Sequence, residues 1–205
     1  QGGFDVIIGN PPYVEYSKVK KEYTVRQYST ESCGNLYAFI SERCSDLLGL
    51  SGGFGFIIPS ASCCTPRMKN LYDIEVKRYK SIWISLFDER PSKLFDGVDQ
   101  QLSIHIGRVN GVNADFNISS MRHWTSSERT NLFSLQHYQS ICSSKEFAQV
   151  IPKVGVGIEH SILKKLTSVA VVNWNLLQNR DGNLVYYRNA GGRYWSIPVA
   201  SKNRL

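Results

Sequence analysis

Apolar residues in the first half of the chain form short continuous runs between glycine, proline and polar segments. Runs of four to eight apolar residues that are rich in β-branched or aromatic side chains predict buried strands. We therefore predict strands over residues 4–8, 54–58, 81–87 and 102–109. The first run has the pattern of a strand buried on both faces, which is typical of parallel sheets.

Helical spacing of apolar residues separates these strands. One helix is predicted over residues 35–50, with Gly49 and Gly52-Gly53 as its stop signal. A second is predicted to begin at Pro66 and to run to about Tyr79, because proline favours the first turn of a helix. Alternating strands and helices predict a mostly parallel α/β sheet with helices on its faces.

After Asn110 the sequence becomes serine-rich, aromatic and basic. It predicts helices near 131–141 and 159–166, and a β-hairpin over 183–197. We accordingly predict two parts: a catalytic core over 1–110, and a smaller α+β region over 111–205 that links domains or recognises DNA.

Composition narrows the class of protein. Hydrophobic content of 42% with 20% charged residues is ordinary for a soluble globular protein. The first residues, Gln1-Gly2-Gly3, lack the features of a signal peptide, so we expect a cytoplasmic protein. Five cysteines have spacings that fit neither a zinc site nor a disulfide framework, so no metal is predicted. A net charge of +7 favours an anionic partner.

The chemistry is concentrated where the first strand ends, at Asn10-Pro11-Pro12-Tyr13. Ligands of open α/β sheets lie beyond the carboxyl ends of the strands. The prolines make this segment stiff and extended, so the Asn10 side-chain oxygen and the Pro11 carbonyl can both accept hydrogen bonds from one NH2 group. Two such acceptors would make a planar amine more nucleophilic towards a sulfonium methyl group. Tyr13 offers an aromatic face for a flipped base.

Residues 4–14 (FDVIIGNPPYV) resemble motif IV of the γ-group of DNA adenine-N6 methyltransferases. Segments 35–39, 47–48 and 52–59 are similar to that family's motif V and its following strand, and residues 93–97 (KLFDG) resemble its motif VIII. The resemblance covers about residues 3–109, and GGRYW at 191–195 resembles large restriction-modification fusion polypeptides.

This resemblance implies a Rossmann-like class I methyltransferase fold, of which the chain holds the C-terminal half of the catalytic sheet. It implies methyl transfer from S-adenosylmethionine to the N6 amine of a flipped adenine in double-stranded DNA, within a restriction-modification system. Asn10, Pro11, Pro12 and Tyr13 would be catalytic, with Asn10 and Pro11 bordering the methyl donor. Phe95 would pack on the second face of the adenine, opposite Tyr13.

The family's glycine-rich S-adenosylmethionine motif should precede motif IV, and this sequence has no such loop there. Gly155 and Gly157 cannot replace it, because the third glycine and the preceding strand are missing. We therefore expect that an N-terminal part of the same polypeptide is a partner, and that the 205 residues alone are inactive.

A basic cluster follows Tyr13, formed by Lys18, Lys20, Lys21 and Arg26. Its position favours phosphate contacts, above all for Lys20 and Lys21, although such clusters are also common on solvated surfaces. The four histidines have no partners at metal-ligand spacing, and Cys63-Cys64 is interpreted as a pair of packed thiols.

Two alternative functions stay open at the level of sequence. The same motif occurs in methyltransferases that act on a protein glutamine amide or on RNA, because two acceptors suit any planar NH2 group. The second alternative is a DNA-binding module without catalytic activity.

Overall fold

A six-stranded sheet forms the centre of the computed structural model. The structure describes residues 2–111 and 115–142, together with positions 151, 153, 157–158, 160–162, 165, 187–188 and 194–195. The strands of the sheet are β1 (Phe4–Gly9), β2 (Leu48–Pro59), β3 (Ser81–Phe87), β4 (Leu102–Arg108), β5 (Asp115–Arg122) and β6 (Tyr138–Cys142). Their spatial order is β1-β2-β4-β3-β5-β6.

The predicted α/β class and the four predicted strands are confirmed. Four of the six strands, β1, β2, β3 and β5, run in the same direction, and β4 and β6 run in the opposite direction. Strand β4 lies between β2 and β3 and is antiparallel to both. The carboxyl ends of β1, β2, β3 and β5 consequently lie along one edge of the sheet, which we call the carboxyl edge.

Helices connect the strands and cover one face of the sheet. They are α1 (Tyr16–Val19), α2 (Leu36–Leu47), α3 (Ala61–Cys64) and α4 (Lys69–Arg78), with 3-10 turns at Ser29–Cys33, Pro66–Met68 and Ser126–Asn131. Apolar side chains of α2 and α4 share the main core with every second residue of β2 and β3, including Phe56, Ile58 and Ile84. Burial of this apolar surface is the main stabilising contribution.

Helix α2 is shorter than predicted, because β2 begins directly after it at Leu48. The glycines there permit close contact between backbones. A Cβ atom on Gly3 would lie 2.4 Å from the Gly49 nitrogen, and one on Gly52 would lie 2.8 Å from the Phe4 oxygen. The role of these glycines is therefore to allow the close approach of β1 and β2, and not only to end the preceding helix.

The opposite face of the sheet is largely uncovered near β1. Phe4, Val6 and Ile8 are 60%, 62% and 79% exposed, and Ile106 is 50% exposed. A small cluster of Phe87, Trp124 and Leu132 covers the same face farther along the sheet. The prediction that β1 is buried on both faces is therefore wrong for the described structure, because only Ile7 of this strand packs against the main core.

The region after residue 110 departs most from the sequence-based expectations. Strands β5 and β6 extend the same sheet, so the predicted boundary at residue 110 does not coincide with the end of the sheet. The predicted helix at 131–141 is wrong, since residues 126–131 form a 3-10 turn and Tyr138–Cys142 is a strand.

Two further elements were predicted in the C-terminal quarter of the chain. Within the predicted helix at 159–166, residues 160–162 and 165 are helical, and the other four lie outside the described residues. Tyr187–Arg188 pairs with Tyr194–Trp195 in an antiparallel two-stranded ladder at the position of the predicted hairpin. No helix in the described part of the chain is long and apolar enough to cross a membrane.

Candidate active site at the carboxyl edge

The segment Asn10-Pro11-Pro12-Tyr13 leaves β1 at the carboxyl edge, as predicted. Asn10 and Pro12 are exposed, whereas Pro11 is buried. The segment is thus anchored through Pro11 and presents Asn10 to solvent. Exposed polar groups on a stiff, anchored backbone are what a preorganised site requires.

Tyr13 folds back over the edge of the sheet, and its hydroxyl links two elements. It lies 2.6 Å from Asn10 Oδ1 and 3.0 Å from the carbonyl oxygen of Ile57 in β2. The single hydroxyl proton is shared between these acceptors, and the shorter distance favours Asn10. Tyr13 therefore fixes the Asn10 side chain, because the amide must present its oxygen and not its nitrogen to a hydroxyl donor.

Burial raises the pKa of Tyr13 to about 12. The hydroxyl therefore keeps its proton at neutral pH and can act as a donor. A carbonyl oxygen has two lone pairs, so Asn10 Oδ1 can accept a second hydrogen bond while it is held by Tyr13. That second position is where an incoming amine can donate.

An apolar groove of about 320 Å³ lies beside Pro12. Leu36, Phe39 and Ile40 of α2 form one wall, and Tyr23 and Tyr28 of the preceding loop form the other. The cavity volume is at the lower end of the range of small-molecule sites, which are mostly apolar. The groove can accept a flat ring next to the Asn10 segment.

Residues 14–16 are attached to the start of α2. Tyr16 N donates to the Gly34 carbonyl and Leu36 N donates to the Val14 carbonyl, at 2.8 and 3.0 Å. Glu15 lies in this contact and binds Arg67, with an Nη2–Oε2 distance of 2.7 Å. The hydrogen bond and charge of Arg67 hold the pKa of the Glu15 carboxyl below its usual value.

Asn35 donates to Glu15 from Nδ2 over 3.1 Å and is buried, so its side chain ties the loop to the helix. Tyr37 is buried and contacts Met68 Sδ at 3.6 Å. Sequence reasoning missed Glu15 and Arg67, which are 52 residues apart. Only the adjacency of Glu15 to the motif pointed to it.

Phe95 lies in the loop between β3 and β4 and is partly exposed. The two ends of this loop are joined, since Gln101 Nε2 donates to Asp88 Oδ1 over 3.1 Å. Among the ring contacts of the described residues, none joins Phe95 to Tyr13. The opposing placement of these two rings around a base stays a prediction.

The predicted basic cluster follows the motif on a single stretch of surface. Lys18 belongs to α1, while Lys20, Lys21 and Arg26 lie in the loop after it, and all four are exposed. The contact of Lys20 and Lys21 with phosphates stays a prediction.

A buried polar cluster lies behind the carboxyl edge. His105 Nε2 is 3.2 Å from Cys63 Sγ and 3.0 Å from Ser103 Oγ, and His105 Nδ1 is 3.2 Å from Glu75 Oε1. Cys63 and Cys64 are buried, in agreement with packed thiols. No group of three or more His, Cys, Asp or Glu side chains that could hold a metal ion occurs among the described residues.

The chain is similar to proteins of restriction-modification systems. Residues 1–95 match the family model of the Eco57I restriction-modification methylase. That stretch contains the Asn10 segment, α2, β2 and Phe95. No curated protein matches the sequence.

Two solved structures share the fold. One is a nuclease-deletion mutant of the type ISP restriction-modification enzyme LlaGI in complex with a DNA substrate mimic, at 15% identity and a TM-score of 0.53. The other is a DrdV–DNA complex, at 16% identity and a TM-score of 0.50. Each match covers 68% of this chain and 17% of the other, so the chain spans about a sixth of those proteins.

Proposed function

We propose that this chain contributes the target-base half of a DNA methyltransferase active site, which transfers a methyl group to the N6 amine of adenine within a restriction-modification system. The observation that carries the proposal is the Tyr13–Asn10 hydrogen bond of 2.6 Å at the carboxyl edge. The family match over residues 1–95 supports it.

The reaction needs acceptors for both hydrogens of an amine whose lone pair is delocalised into the ring. Asn10 Oδ1, fixed by Tyr13, is one acceptor, and the carbonyl oxygen of Pro11 is the other. Hydrogen bonds to both hydrogens favour a pyramidal nitrogen in the transition state, when its lone pair turns towards the methyl carbon. The nitrogen would bond to the methyl carbon as the donor's methyl–sulfur bond breaks and leaves a neutral thioether, and the methylated nitrogen would then lose one proton to solvent water near the exposed Asn10. The two acceptors orient the amine and do not take the proton.

The aromatic residues would hold the base. Tyr13 supplies one ring and Phe95 the other, and base–aromatic stacking contributes ~1–3 kcal/mol per base. Flipping is required because the reacting amine is inaccessible within the duplex. Lys20 and Lys21 would hold the flanking backbone through its phosphates.

The methyl donor would be S-adenosylmethionine, whose sulfonium supplies an electrophilic methyl group. The residues fit a part of this molecule. The groove beside Pro12 offers Leu36, Phe39 and Ile40 to an adenine ring, and Asn10 and Pro11 directly precede Pro12 in the chain. None of the described residues that line the groove carries a carboxylate, so the ribose hydroxyls need contacts from elsewhere.

The uncovered face of β1 suggests where those further contacts come from. We infer that a further segment of the complete polypeptide packs on Phe4, Val6 and Ile8 and completes the donor site. Exposed contiguous apolar patches mark interaction surfaces.

The decisive experiment is Asn10→Ala in the complete polypeptide that contains these residues. Methyl transfer to duplex DNA should fall by about 10²-fold or more, because one preorganised acceptor is lost, while DNA affinity stays near that of wild type. The matched control is Asn110→Ala, an exposed asparagine beyond the other end of β4. Unchanged turnover in Asn10→Ala would remove this residue from the mechanism.

The same assay separates the alternative substrates. Duplex DNA, RNA and a glutamine-containing protein substrate are compared with the wild-type polypeptide. Preferential labelling of RNA or protein would reject the DNA assignment while leaving the acceptor chemistry intact.

A further inference from the structure

Asp88 and His123 leave the sheet side by side at the carboxyl edge. They directly follow the parallel strands β3 and β5, in which Phe87 pairs with Arg122. The Asp88 nitrogen continues this ladder with a 2.9 Å hydrogen bond to the Arg122 carbonyl. Both residues therefore lie on the side of the sheet that carries Asn10 and Phe95.

The two side chains form a carboxylate–imidazole pair, with His123 Nδ1 2.8 Å from Asp88 Oδ2. Asp88 is 4% exposed, and its other oxygen accepts from Glu89 N and Gln101 Nε2. The His123 side chain is 46% exposed. Because the ring is held at Nδ1 by a buried group, Nε2 is directed away from Asp88.

We propose that His123 contacts a phosphate of the DNA backbone through Nε2, and that Asp88 is its positioning residue. The proposal rests on the DNA-binding part of the function proposed above. His123 Nδ1 donates to Asp88, so Nε2 of the imidazolium form is an outward, charged donor of the kind that binds phosphate.

Several cationic side chains near His123 are already bound within the protein. Arg122 binds Glu128 over 2.7 Å, and Arg129 donates to the carbonyls of Lys93 and Leu94. Lys93 itself pairs with Asp99. Arg122, Arg129 and Lys93 therefore stabilise the turn at 126–131 and the loop after β3. Glu89 and Arg90 are the other charged residues next to Asp88 on that loop.

The order of the strands gives the distance between His123 and the Asn10 segment. Strand β5 is four positions from β1, which at ~4.8 Å between strands places His123 about 19 Å from the Asn10 segment. With the duplex axis along the carboxyl edge, as the proposal requires, successive phosphates advance ~3.4 Å, so the contact should fall about five to six base pairs from the target adenine.

The test measures binding of the 205-residue chain to a duplex with one unpaired adenine, at about pH 6, where histidine side chains take up a proton. The variants are His123→Gln, His123→Arg and, as the matched control, His137→Gln, which removes another exposed histidine. Thermal unfolding of each variant shows whether the fold is retained.

His123→Gln should weaken binding about three- to tenfold and lower the log–log salt slope by up to ~0.9, the value for one phosphate contact. His123→Arg should keep the slope, and His137→Gln should change neither quantity. On a duplex with neutral methylphosphonates about five to six base pairs from the adenine, wild type and His123→Gln should bind equally well.

An equal loss on both duplexes, no loss at all, or absence of DNA binding by the chain would overturn the proposal. Lower thermal stability of His123→Gln with unchanged affinity would also overturn it, since His123 would then only neutralise Asp88. Failure here leaves the Asn10→Ala result untouched, so the two proposals can fail separately.

Discussion

At the scale of single residues, the proposed site uses the hydroxyl of Tyr13 as well as its ring. It fixes the oxygen of Asn10 at 2.6 Å and is itself held at Ile57 of the neighbouring strand. The motif and its place after a strand could be predicted from the sequence, because both are local. The Ile57 contact could not, since it joins residues 44 positions apart through the β1/β2 pairing.

Tyr13→Phe tests this role of the hydroxyl. The ring and its stacking surface stay, but the donor to Asn10 is lost, so methyl transfer should fall by about tenfold, the equivalent of one ordinary hydrogen bond of ~1.4 kcal/mol. Turnover is measured under saturating DNA in the complete polypeptide. The control, Tyr138→Phe, removes a tyrosine hydroxyl on β6 that contacts Ser85 Oγ at 2.6 Å, outside the groove and the Asn10 segment. Equal turnover of wild type and Tyr13→Phe would show that Asn10 is oriented by other contacts.

At the scale of elements, continuous apolar runs predicted β1 to β4 well, because these strands are rich in residues that prefer a pleated, packed surface. Their order and directions depend on long-range pairing, which no local pattern contains. The prediction of a helix over 131–141 was wrong for this reason. Leu132 and Leu135 have helical spacing, but Tyr138–Cys142 pairs with β5 and forms a strand.

The junction between the Asn10 loop and α2 can be tested at Gly34. This residue has φ +63°, and a Cβ atom there would lie 2.1 Å from Arg67 Nη2, the nitrogen that binds Glu15. Gly34→Ala should lower the free energy of unfolding by about 1–2 kcal/mol, through backbone strain and a displaced ion pair.

Gly97→Ala is the matched control for this junction, because Gly97 has φ +78° with nothing within 4 Å of the added methyl group. The difference between the two variants in urea unfolding isolates the displaced Arg67. The partly exposed ion pair should contribute no more than about 1 kcal/mol to that difference. Equal effects would show that Arg67 moves aside without cost.

At the scale of the whole molecule, the buried His105 cluster joins α3, α4 and β4. Burial disfavours the charged ring, but the Glu75 carboxylate and the hydrogen bonds to Glu75 and Cys63 outweigh it and raise the pKa of His105 above its usual value. Because the folded-state pKa exceeds the ordinary value of 6.5, the contribution to stability is complete below that pH and is lost as the pH rises through the raised pKa.

We therefore expect the free energy of unfolding to decrease between pH 6.5 and 9, and this decrease to be smaller in His105→Gln. Chemical unfolding at several pH values measures it, with His137→Gln as the control. The measurements stop at pH 9 to avoid a contribution from Cys64. Burial raises the pKa of this thiol from 9.0 to about 11, so that it also lowers stability at higher pH. An identical pH dependence in His105→Gln and wild type would show that the ring is not charged.

Strand β1 is the outermost strand on one side of the sheet, and this position affects the behaviour of the isolated chain. Strand β1 has one neighbour among the described strands, and its other side carries unpaired backbone groups next to Phe4, Val6 and Ile8. Such an edge is a template on which another copy can add a strand, the first step of aggregation. Asp5 is the single charged residue in FDVIIG. It is thus the gatekeeper of this strand, and its repulsion between copies is what opposes intermolecular pairing.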